Sequence, residues 1–414
     1  MKRFMIVFAL VGLLAVHVLS TQAAPRTSLN KEKPTNPAKG KLIADQYIVV
    51  LKEGVDAKAI ATALGVKPKH LYKAALNGFA GKLTAAQVEA LRSNPNVDYV
   101  EQDQEVTASD TQYYPVWNLD RIDQRYLPLS STYTYPSYGA GVTAYIIDTG
   151  LQADHPDFGG RAANVYDAFG GTGADCNGHG THVAGTVGGA NYGVAKGVQL
   201  RGVRVLDCNG SGSWSGVIAG VDWVRLYGQR PAVANLSLGG GYVSSVNTAV
   251  TNLSNSGVFT AVAAGNNGAN ACNYSPASAA GVVTVAASDS SDYRAYFSNY
   301  GACVEIYAPG VAVTSDWIGS STNTIPGTSM ASPHVAGAGA IYKSLYGDAA
   351  SSSVSSWIIG NATANVIISN PSGTPNLLLF IPDGSTPAPT AVPTYPTPYP
   401  TERVPPPCPN CQIP

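Results

Sequence analysis

Three stretches of this chain carry side chains that could act together in a reaction. Ala144-Tyr145-Ile146-Ile147-Asp148-Thr149-Gly150 sets a carboxylate directly after an apolar run. Asn177-Gly178-His179-Gly180-Thr181-His182-Val183-Ala184-Gly185 sets an imidazole at the start of a glycine- and alanine-rich helical run. Gly327-Thr328-Ser329-Met330-Ala331-Ser332-Pro333-His334 sets a hydroxyl where a glycine turn gives way to a helix. Singly, each has a plain structural explanation: a turn aspartate, a helix-start histidine, an N-cap serine. Jointly they supply what acyl transfer requires. A serine hydroxyl attacks poorly at neutral pH until an imidazole takes its proton. That imidazole needs a buried carboxylate to hold its tautomer and stabilise its charged form. The chain order Asp148, His179, Ser329 is one of three unrelated orders in which such a triad occurs. A fourth stretch, Val262-Ala263-Ala264-Gly265-Asn266-Asn267-Gly268, offers the Asn266 amide as donor to a tetrahedral oxyanion. Backbone N–H groups at the helix start near Ser329 are unpaired and can share that task. Pro333 is expected in the first helical turn, where no amide donor is needed.

These groups need a scaffold that brings distant segments together. Apolar runs at 141–147, 199–206, 232–236, 257–263, 282–287 and 304–307 read as buried strands. Helical patterns fall between several of them, at 180–188, 213–226 and 244–256. Short apolar strands alternating with helices predict an α/β domain with a mostly parallel sheet covered on both faces. Ligands of such sheets gather at the carboxyl ends of the strands, where Asp148 and Asn266 stand.

Lysine usage marks a boundary ahead of this domain: of 13 lysines, only Lys196 and Lys343 lie beyond residue 106. Before it, 45–51, 71–76 and 96–105 read as strands and 57–64 and 84–91 as helices, a small α+β unit ending near Val106. The chain opens with Met1-Lys2-Arg3, an apolar run to Leu19, and small residues to Ala24, the pattern of a secretory signal peptide. Residues 25–41 read as a linker. From Pro382 the chain is rich in Pro, Thr and Tyr, cannot bury a core, and reads as an extended or disordered tail ending in Cys408-Pro409-Asn410-Cys411. Net charge is −1, so nothing points to nucleic acid or another polyanion. Export would let cysteines pair. Cys176, Cys208, Cys272 and Cys303 allow three pairings, and spacing alone does not choose among them. One Cys-x-x-Cys pair in the tail is half a zinc site, and a local disulfide or processed tail is the simpler reading. Asn235 and Asn361 begin Asn-x-Ser/Thr sequons.

The segments around Asp148, His179, Asn266 and Ser329 resemble those of subtilisin-like serine proteases. The resemblance is closest to the proteinase K branch and, within it, to secreted aqualysin-type enzymes. It runs from about residue 115 to 380. It includes Leu119-Asp120-Arg121-Ile122-Asp123-Gln124, Leu206-Asp207-Cys208-Asn209-Gly210-Ser211-Gly212, Ser237-Leu238-Gly239-Gly240-Gly241 and Asn273-Tyr274-Ser275-Pro276. Residues 45–106 are similar to the family's inhibitory pro-domain. The resemblance implies a subtilisin-like three-layer domain at 109–381, preceded by a signal peptide at 1–24 and a pro-region at 25–108, and followed by the tail at 382–414. It implies that Asp148 orients His179, that His179 is general base and then acid, that Ser329 is the nucleophile, and that Asn266 and the Ser329 N–H hold the oxyanion. His182 and His334 are packing residues on this reading. Gly210, Ser211 and Gly212, with Ser237, Leu238 and Gly239, would be extended edges that pair with substrate backbone, with Ala264 and Gly265 walling the pocket for the residue before the cut. Those walls carry no charge, so the expected P1 residue is neutral, apolar or aromatic, with broad tolerance.

The resemblance further implies disulfides Cys176–Cys208 and Cys272–Cys303. It implies structural calcium held by the carbonyls of Ala280 and Val282 and the Glu305 carboxylate, where the family usually has Asp. A second family calcium site would use Asp120, Asp123 and Gln124, but its later ligands fall at Ser130 and Thr132, which are poor ones. No catalytic metal or organic cofactor is implied. The expected product is a secreted monomeric endopeptidase acting on proteins and peptides, with its own pro-domain as inhibitor, no membrane association after signal removal, and maturation between Val106 and Thr111. An esterase of the α/β-hydrolase type is opposed by the missing Gly-x-Ser-x-Gly and the chain order. A metal hydrolase is opposed by the lack of His-Glu-x-x-His, and an inactive binding module by the intact Asp148, His179, Asn266 and Ser329.

Overall fold

The computed structural model describes residues 42–104 and 110–384. The signal peptide, the linker, Val106 to Ser109 of the expected maturation segment, and the tail with Cys408 and Cys411 lie outside the described residues.

The first unit runs β1 (Leu42–Leu51), α1 (Ala57–Ala63), β2 (His70–Tyr72), β3 (Gly78–Lys82), α2 (Ala85–Arg92), β4 (Val97–Gln104). Its four strands form one sheet in the order β2-β3-β1-β4, with β1 antiparallel to both β3 and β4. Val49, Leu51, Phe79, Val88 and Leu91 are the centre of its small core. Helix α2 opens with a capping box, in which Thr84 and Gln87 exchange side-chain and backbone bonds. The sequence places a strand at 71–76. The structure instead ends β2 at Tyr72 and forms β3 from Gly78-Phe79-Ala80-Gly81-Lys82, whose two glycines hide its strand character.

The second unit begins with β5 (Asp110–Tyr113), α3 (Trp117–Ile122), β6 (Thr132–Tyr135), β7 (Thr143–Asp148), β8 (Ala162–Asp167), α4 (His179–Gly188), β9 (Gln199–Arg204), α5 (Trp214–Tyr227) and β10 (Ala232–Leu236). It continues with β11 (Gly240–Gly241), α6 (Ser244–Asn255), β12 (Phe259–Ala263), β13 (Tyr274–Ser275), β14 (Val283–Ser288) and β15 (Ile306–Pro309). It closes with β16 (Val313–Trp317), β17 (Ser321–Ile325), α7 (Thr328–Tyr346), α8 (Ser351–Asn361), β18 (Thr363–Ala364) and β19 (Leu377–Leu378). Among the described residues one nine-stranded sheet has the order β18-β19-β15-β14-β12-β10-β7-β9-β8, parallel except for the β18–β19 edge. The chain reverses its direction of winding beside β7. Strands β7, β10, β12 and β14 are buried along their whole length, which is why they read as unbroken apolar runs.

Two cores make the sheet the middle of three layers. Helices α4, α7 and α8 pack one face through Val183, Val187, Val335, Ile341 and Ile358. Helices α5 and α6 pack the other through Val217, Val221, Val246, Val250 and Leu253. The disulfides Cys176–Cys208 and Cys272–Cys303 are both formed. Lys196 and Lys343, the two lysines of this unit, are buried. Lys343 donates to Gly257 O, Ala349 O and Asp348, while Lys196 lies over Tyr133 and Tyr135. Asn235 and Asn361 are also buried, so their sequons are not open to glycosylation in the folded chain.

One buried acid makes stability depend on pH. Asp316, next to the end of β16, has no hydrogen-bond donor on either carboxylate oxygen. His155 Nδ1 stands 3.6 Å away, and Asp157, whose own oxygens take Asn191, is beside it. Burial, reinforced by the Asp157 charge, pushes the Asp316 carboxyl up to about 8. Its unfolded value is about 4, so the folded chain holds a proton that the unfolded chain has lost between those limits. Stability therefore falls as pH rises from about 4 to about 8. Asp316→Asn should raise the melting temperature at pH 9 by at least about 2 °C, and the gain should vanish near pH 4. A calorimetric pH series on enzyme blocked by a serine-directed reagent measures this; an unchanged melting temperature at pH 9 would refute it.

Candidate active site

The site forms where β7, α4 and α7 meet. Asp148 is the last residue of β7 and is fully buried. Its Oδ1 accepts Thr149 N–H at 2.8 Å and faces His179 Nδ1 at 2.7 Å. His179 is the first residue of α4, and about a quarter of its side chain is exposed. The close approach depends on Gly180: a Cβ there would stand 2.2 Å from the Gly150 carbonyl oxygen. The Gly180 N–H instead binds the Thr149 hydroxyl at 2.9 Å. Asp175 completes the helix start. Its Oδ1 accepts Gly178 N–H and the Thr149 hydroxyl, and its Oδ2 accepts the Thr181 N–H and hydroxyl. No local pattern marks Asp175 as a cap, since it lies four residues before the helix it serves.

Burial alone would lower the pKa of His179. The charge of Asp148 and its hydrogen bond outweigh burial, and Asp175 adds to them, so the imidazole is pushed up from its ordinary 6.5. His182 and His334 differ. His182 Nε2 donates to Val313 O, and burial lowers the ring to about 4. His334 sits between Met330 O, bonded to Nδ1, and Asn118 Nδ2, which donates to Nε2. Burial lowers its pKa to about 4 as well. Both are neutral packing histidines at physiological pH.

Ser329 is the second residue of α7 and is half-buried. Its hydroxyl donates to Ser237 O at 3.1 Å in this conformation. The helix starts at Thr328, so Pro333 lies past the first turn, contrary to the sequence expectation. Proline there has no N–H for the Ser329 carbonyl four residues back. The Ser237 hydroxyl takes that place, donating to Ser329 O at 2.7 Å. Asn235 Nδ2 donates to Ser237 Oγ in turn, and the Ser332 hydroxyl donates to Asn235 Oδ1. A missing backbone bond thus becomes a latch between the end of β10 and the start of α7.

Asn266 is held by its oxygen. Its Oδ1 accepts the Thr328 N–H at 2.9 Å and the Thr328 hydroxyl at 2.8 Å, which leaves Nδ2 free to donate. Gly327 has φ +155°, and the point a Cβ would occupy is 3.6 Å from both Asn266 Nδ2 and Ser329 N. Asn266 Nδ2 and Ser329 N therefore border the same glycine turn, and they are the two donors an oxyanion would need. The loop is pinned by buried Asn299, whose Oδ1 accepts Asn267 and Ala269 N–H and whose Nδ2 donates to Ala264 O. Sequence reading misses Asn299, because it acts from 32 residues away on Asn267. It also passes over Thr328, although its place beside Ser329 was the available signal.

The expected edges are brought to the same rim only in part. Ser237, Leu238 and Gly239 leave β10 without a ladder partner. Ala264 is buried, and Gly265 turns at φ +99° with its N–H on the Thr328 hydroxyl. In 210–212, however, Ser211 already bonds Asp207 through both its N–H and its carbonyl, and Gly210 N–H binds Asp207 O. Of the three, Gly212 alone has both backbone groups uncommitted among the described residues.

The residues expected to hold calcium offer oxygen atoms, the donors a hard cation takes. Glu305 Oε2 accepts Thr284 N–H at 2.6 Å, which sets the carboxylate two residues along from Val282. Burial pushes it up to about 8, so it lacks a nearby counter-charge. Ala280 O accepts the Thr251 hydroxyl. Among the described residues no group of three or more His, Cys, Asp or Glu side chains forms a metal site. At the other position, Ser130 and Ser131 satisfy both Asp120 oxygens, Thr134 N–H takes Asp123 Oδ2, and Gln124 donates to Tyr126 and Pro128 carbonyls.

Residues 139–378 match the model of the subtilase family, and residues 46–109 match that of peptidase inhibitor I9. The chain is 49% identical over 392 residues to an extracellular serine proteinase of Thermus sp. (strain Rt41A), covering 88% of this chain and 94% of that one. It is 47% identical over 356 residues to proteinase R of Parengyodontium album, covering 84% and 91%. A crystal structure of a cold adapted subtilisin-like serine proteinase superposes with a TM-score of 0.64 at 49% identity, covering 65% of this chain and 98% of that one.

The His179 environment gives a pH prediction. Activity requires the neutral imidazole, so kcat/KM should fall on acidification through a pKa above 6.5. Asp148→Asn should lower kcat about 10⁴-fold by upsetting the tautomer, and should move that limb to lower pH. Hydrolysis of a chromogenic peptide from pH 5 to 10 tests both; a wild-type limb at or below 6.5 contradicts the assignment.

Proposed function

The chain belongs to the subtilase family of serine proteinases, and from that premise we propose that it is a secreted endopeptidase made as a self-processing zymogen. The observation that carries the catalytic assignment is the Asp148–His179 contact at 2.7 Å at the start of α4, a helix that packs against α7, whose start bears Ser329. Rotation about the Ser329 Cα–Cβ bond frees its hydroxyl from Ser237 O. Ser329 Oγ attacks the substrate carbonyl and passes its proton to His179 Nε2. Asp148 stabilises the resulting imidazolium through Nδ1. Asn266 Nδ2 and Ser329 N–H receive the oxyanion. His179 then protonates the leaving amine as the C–N bond breaks, leaving an acyl group on Ser329. Water, deprotonated by His179, attacks that ester and restores the hydroxyl.

Extended substrate backbone adds as a strand along Ser237–Gly239 and Gly212, which favours unfolded or loop segments of proteins. The uncharged walls at Ser237–Gly239 and Ala263–Gly265 favour neutral, apolar or aromatic P1 residues. Export is supported by the signal-like residues 1–24 and by relatives named as extracellular. The inhibitor-like unit matched at 46–109 acts as an intramolecular inhibitor until the chain is cut between Val106 and Thr111. The catalytic unit then spans about 109–381 and works as a monomer, with the tail from 382 outside it. Ala280, Val282 and Glu305 hold a structural calcium, which supplies the counter-charge that Glu305 lacks.

Wild type and Ser329→Ala, each expressed in full and weighed intact, test the reading. Wild type should lose its first hundred or so residues, whereas the variant should remain joined to its pro-domain. Identical trimming of both would assign maturation to another protease. Failure of either to cut casein or to react with a serine-directed phosphonyl reagent would defeat the enzymatic reading. In a peptide library, preference for Arg or Lys at P1 would overturn the specificity. Chelation should lower the melting temperature by about 5–10 °C at saturating calcium, and Glu305→Gln should abolish that difference.

A further inference from the structure

The two disulfides differ in their surroundings. Cys303 is buried, and Cys272 packs with it against Ala271, Tyr274 and Val304. Cys176 and Cys208 are both exposed. A guanidinium stands over them: Arg204 Nη2 lies 3.3 Å from Cys176 Sγ and 3.7 Å from Cys208 Sγ. Arg204 is held there by its own bonds. Nη1 pairs with Asp167 Oδ2 at 3.3 Å, Nε donates to Leu206 O, and the guanidinium lies over the Phe169 ring. Among the described residues no cationic side chain bonds the sulfurs of Cys272 or Cys303.

The exposed crosslink also sits where slack would matter. Cys176 is three residues before His179, and Cys208 is two before Gly210. Asn177 bridges the two sides, with Nδ2 donating to Cys208 O at 2.9 Å and Oδ1 accepting the His179 N–H at 3.2 Å. The crosslink therefore ties the start of α4 to the loop that runs into the substrate rim at Gly212.

We propose that Cys176–Cys208 is a thiol–disulfide exchange site for dithiols, at which reduction loosens the catalytic cleft. A dithiol thiolate attacks Cys208 Sγ and the S–S bond breaks. Its electron pair goes to Cys176, which leaves as a thiolate beside Arg204 Nη2. The second thiolate of the reductant then attacks the mixed disulfide, releasing Cys208 and closing the oxidised dithiol. A cation beside the leaving sulfur favours its thiolate and so speeds exchange. Exposure of both sulfurs admits the reagent to this pair, while the other pair is shielded by buried Cys303 and half-buried Cys272. The effect on the cleft rests on the peptidase reading above; the chemistry at the sulfurs does not.

The test is native alkylation mapping. Enzyme blocked at its nucleophile is titrated with dithiothreitol, quenched with iodoacetamide and digested. Cys176 and Cys208 should label at about tenfold lower dithiol than Cys272 and Cys303. Arg204→Gln should slow labelling of that pair roughly three- to tenfold without moving the other pair, and Arg204→Lys should restore much of the rate. On unblocked enzyme the same dithiol range should lower kcat/KM, with recovery on reoxidation. A Cys176→Ser/Cys208→Ser double variant should no longer respond to dithiol. Labelling of both pairs together, or of Cys272 and Cys303 first, overturns the proposal, as does an Arg204→Gln rate equal to wild type. Selective labelling with unchanged activity overturns the link to the cleft. Loss of peptidase activity in every sample would leave the labelling result standing and would count against the catalytic reading alone.

Discussion

A carboxylate with no access to water must be paired or hydrogen-bonded, or it takes up a proton. Asp148 meets that constraint at Oδ1, which takes the Thr149 N–H and faces His179 Nδ1, while its Oδ2 has no partner among the described residues. Much of the catalytic unit can be read as the means of delivering those two donors. Strand β7 is buried along its length and lies between β10 and β9, so its carboxyl end opens where the winding reverses. Helix α4 can reach it because residue 180 has no side chain, and Asp175 holds the helix start through both of its oxygens. The resulting charge on Asp148 then sets the basicity of His179.

The nucleophile side is built on a different economy of hydrogen bonds. Pro333 leaves the Ser329 carbonyl without its helical partner, and the Ser237 hydroxyl fills the gap. The same bond fixes the substrate-side loop after β10 against the helix that bears the nucleophile. Thr328 performs a parallel service for Asn266 by occupying its oxygen twice, so that its N–H groups alone face outward. Each functional group is thereby oriented by a neighbour that does no chemistry of its own, which is how a site stays preorganised for charge that develops only in the transition state.

The remaining buried ionisable groups sort by whether they have partners. Arg121 is fully buried but pairs with Asp292 at 2.7 Å and caps the Gln124 carbonyl. Lys343 has three oxygen partners, from Gly257, Asp348 and Ala349. Asp316 has no hydrogen-bond partner and Glu305 has the Thr284 N–H but no cationic partner, and both carboxyls are pushed up to about 8. The two acids differ in position: Glu305 Oε2 is held by the Thr284 N–H, whereas Asp316 lies beside another carboxylate, Asp157. The same reasoning separates the disulfides, since Arg204 attends one pair and apolar packing surrounds the other.

The sequence by itself determined the chemistry and the class of fold. Asp148, His179, Asn266 and Ser329 stand beside turns or helix starts that are visible as local patterns, and the central strands are apolar throughout because both their faces are covered. It missed β8, which is half-buried throughout, and the β16–β17 hairpin, in which β16 buries Ser315 and Asp316 in place of apolar side chains and β17 is largely exposed, and it misread β3 because of its two glycines. Cysteine spacing left three pairings open, and the pairing that the family resemblance implied is the one the structure forms. Tertiary structure alone decided that Ser211 spends its backbone bonds on Asp207, that Pro333 is matched by Ser237, and that Asn299 secures the Asn266 loop. The physical reason is common to all of these. Helix starts, turns and apolar periodicity are properties of neighbouring residues, whereas the partner that satisfies a buried polar group comes from wherever the fold brings one, and no local pattern records it.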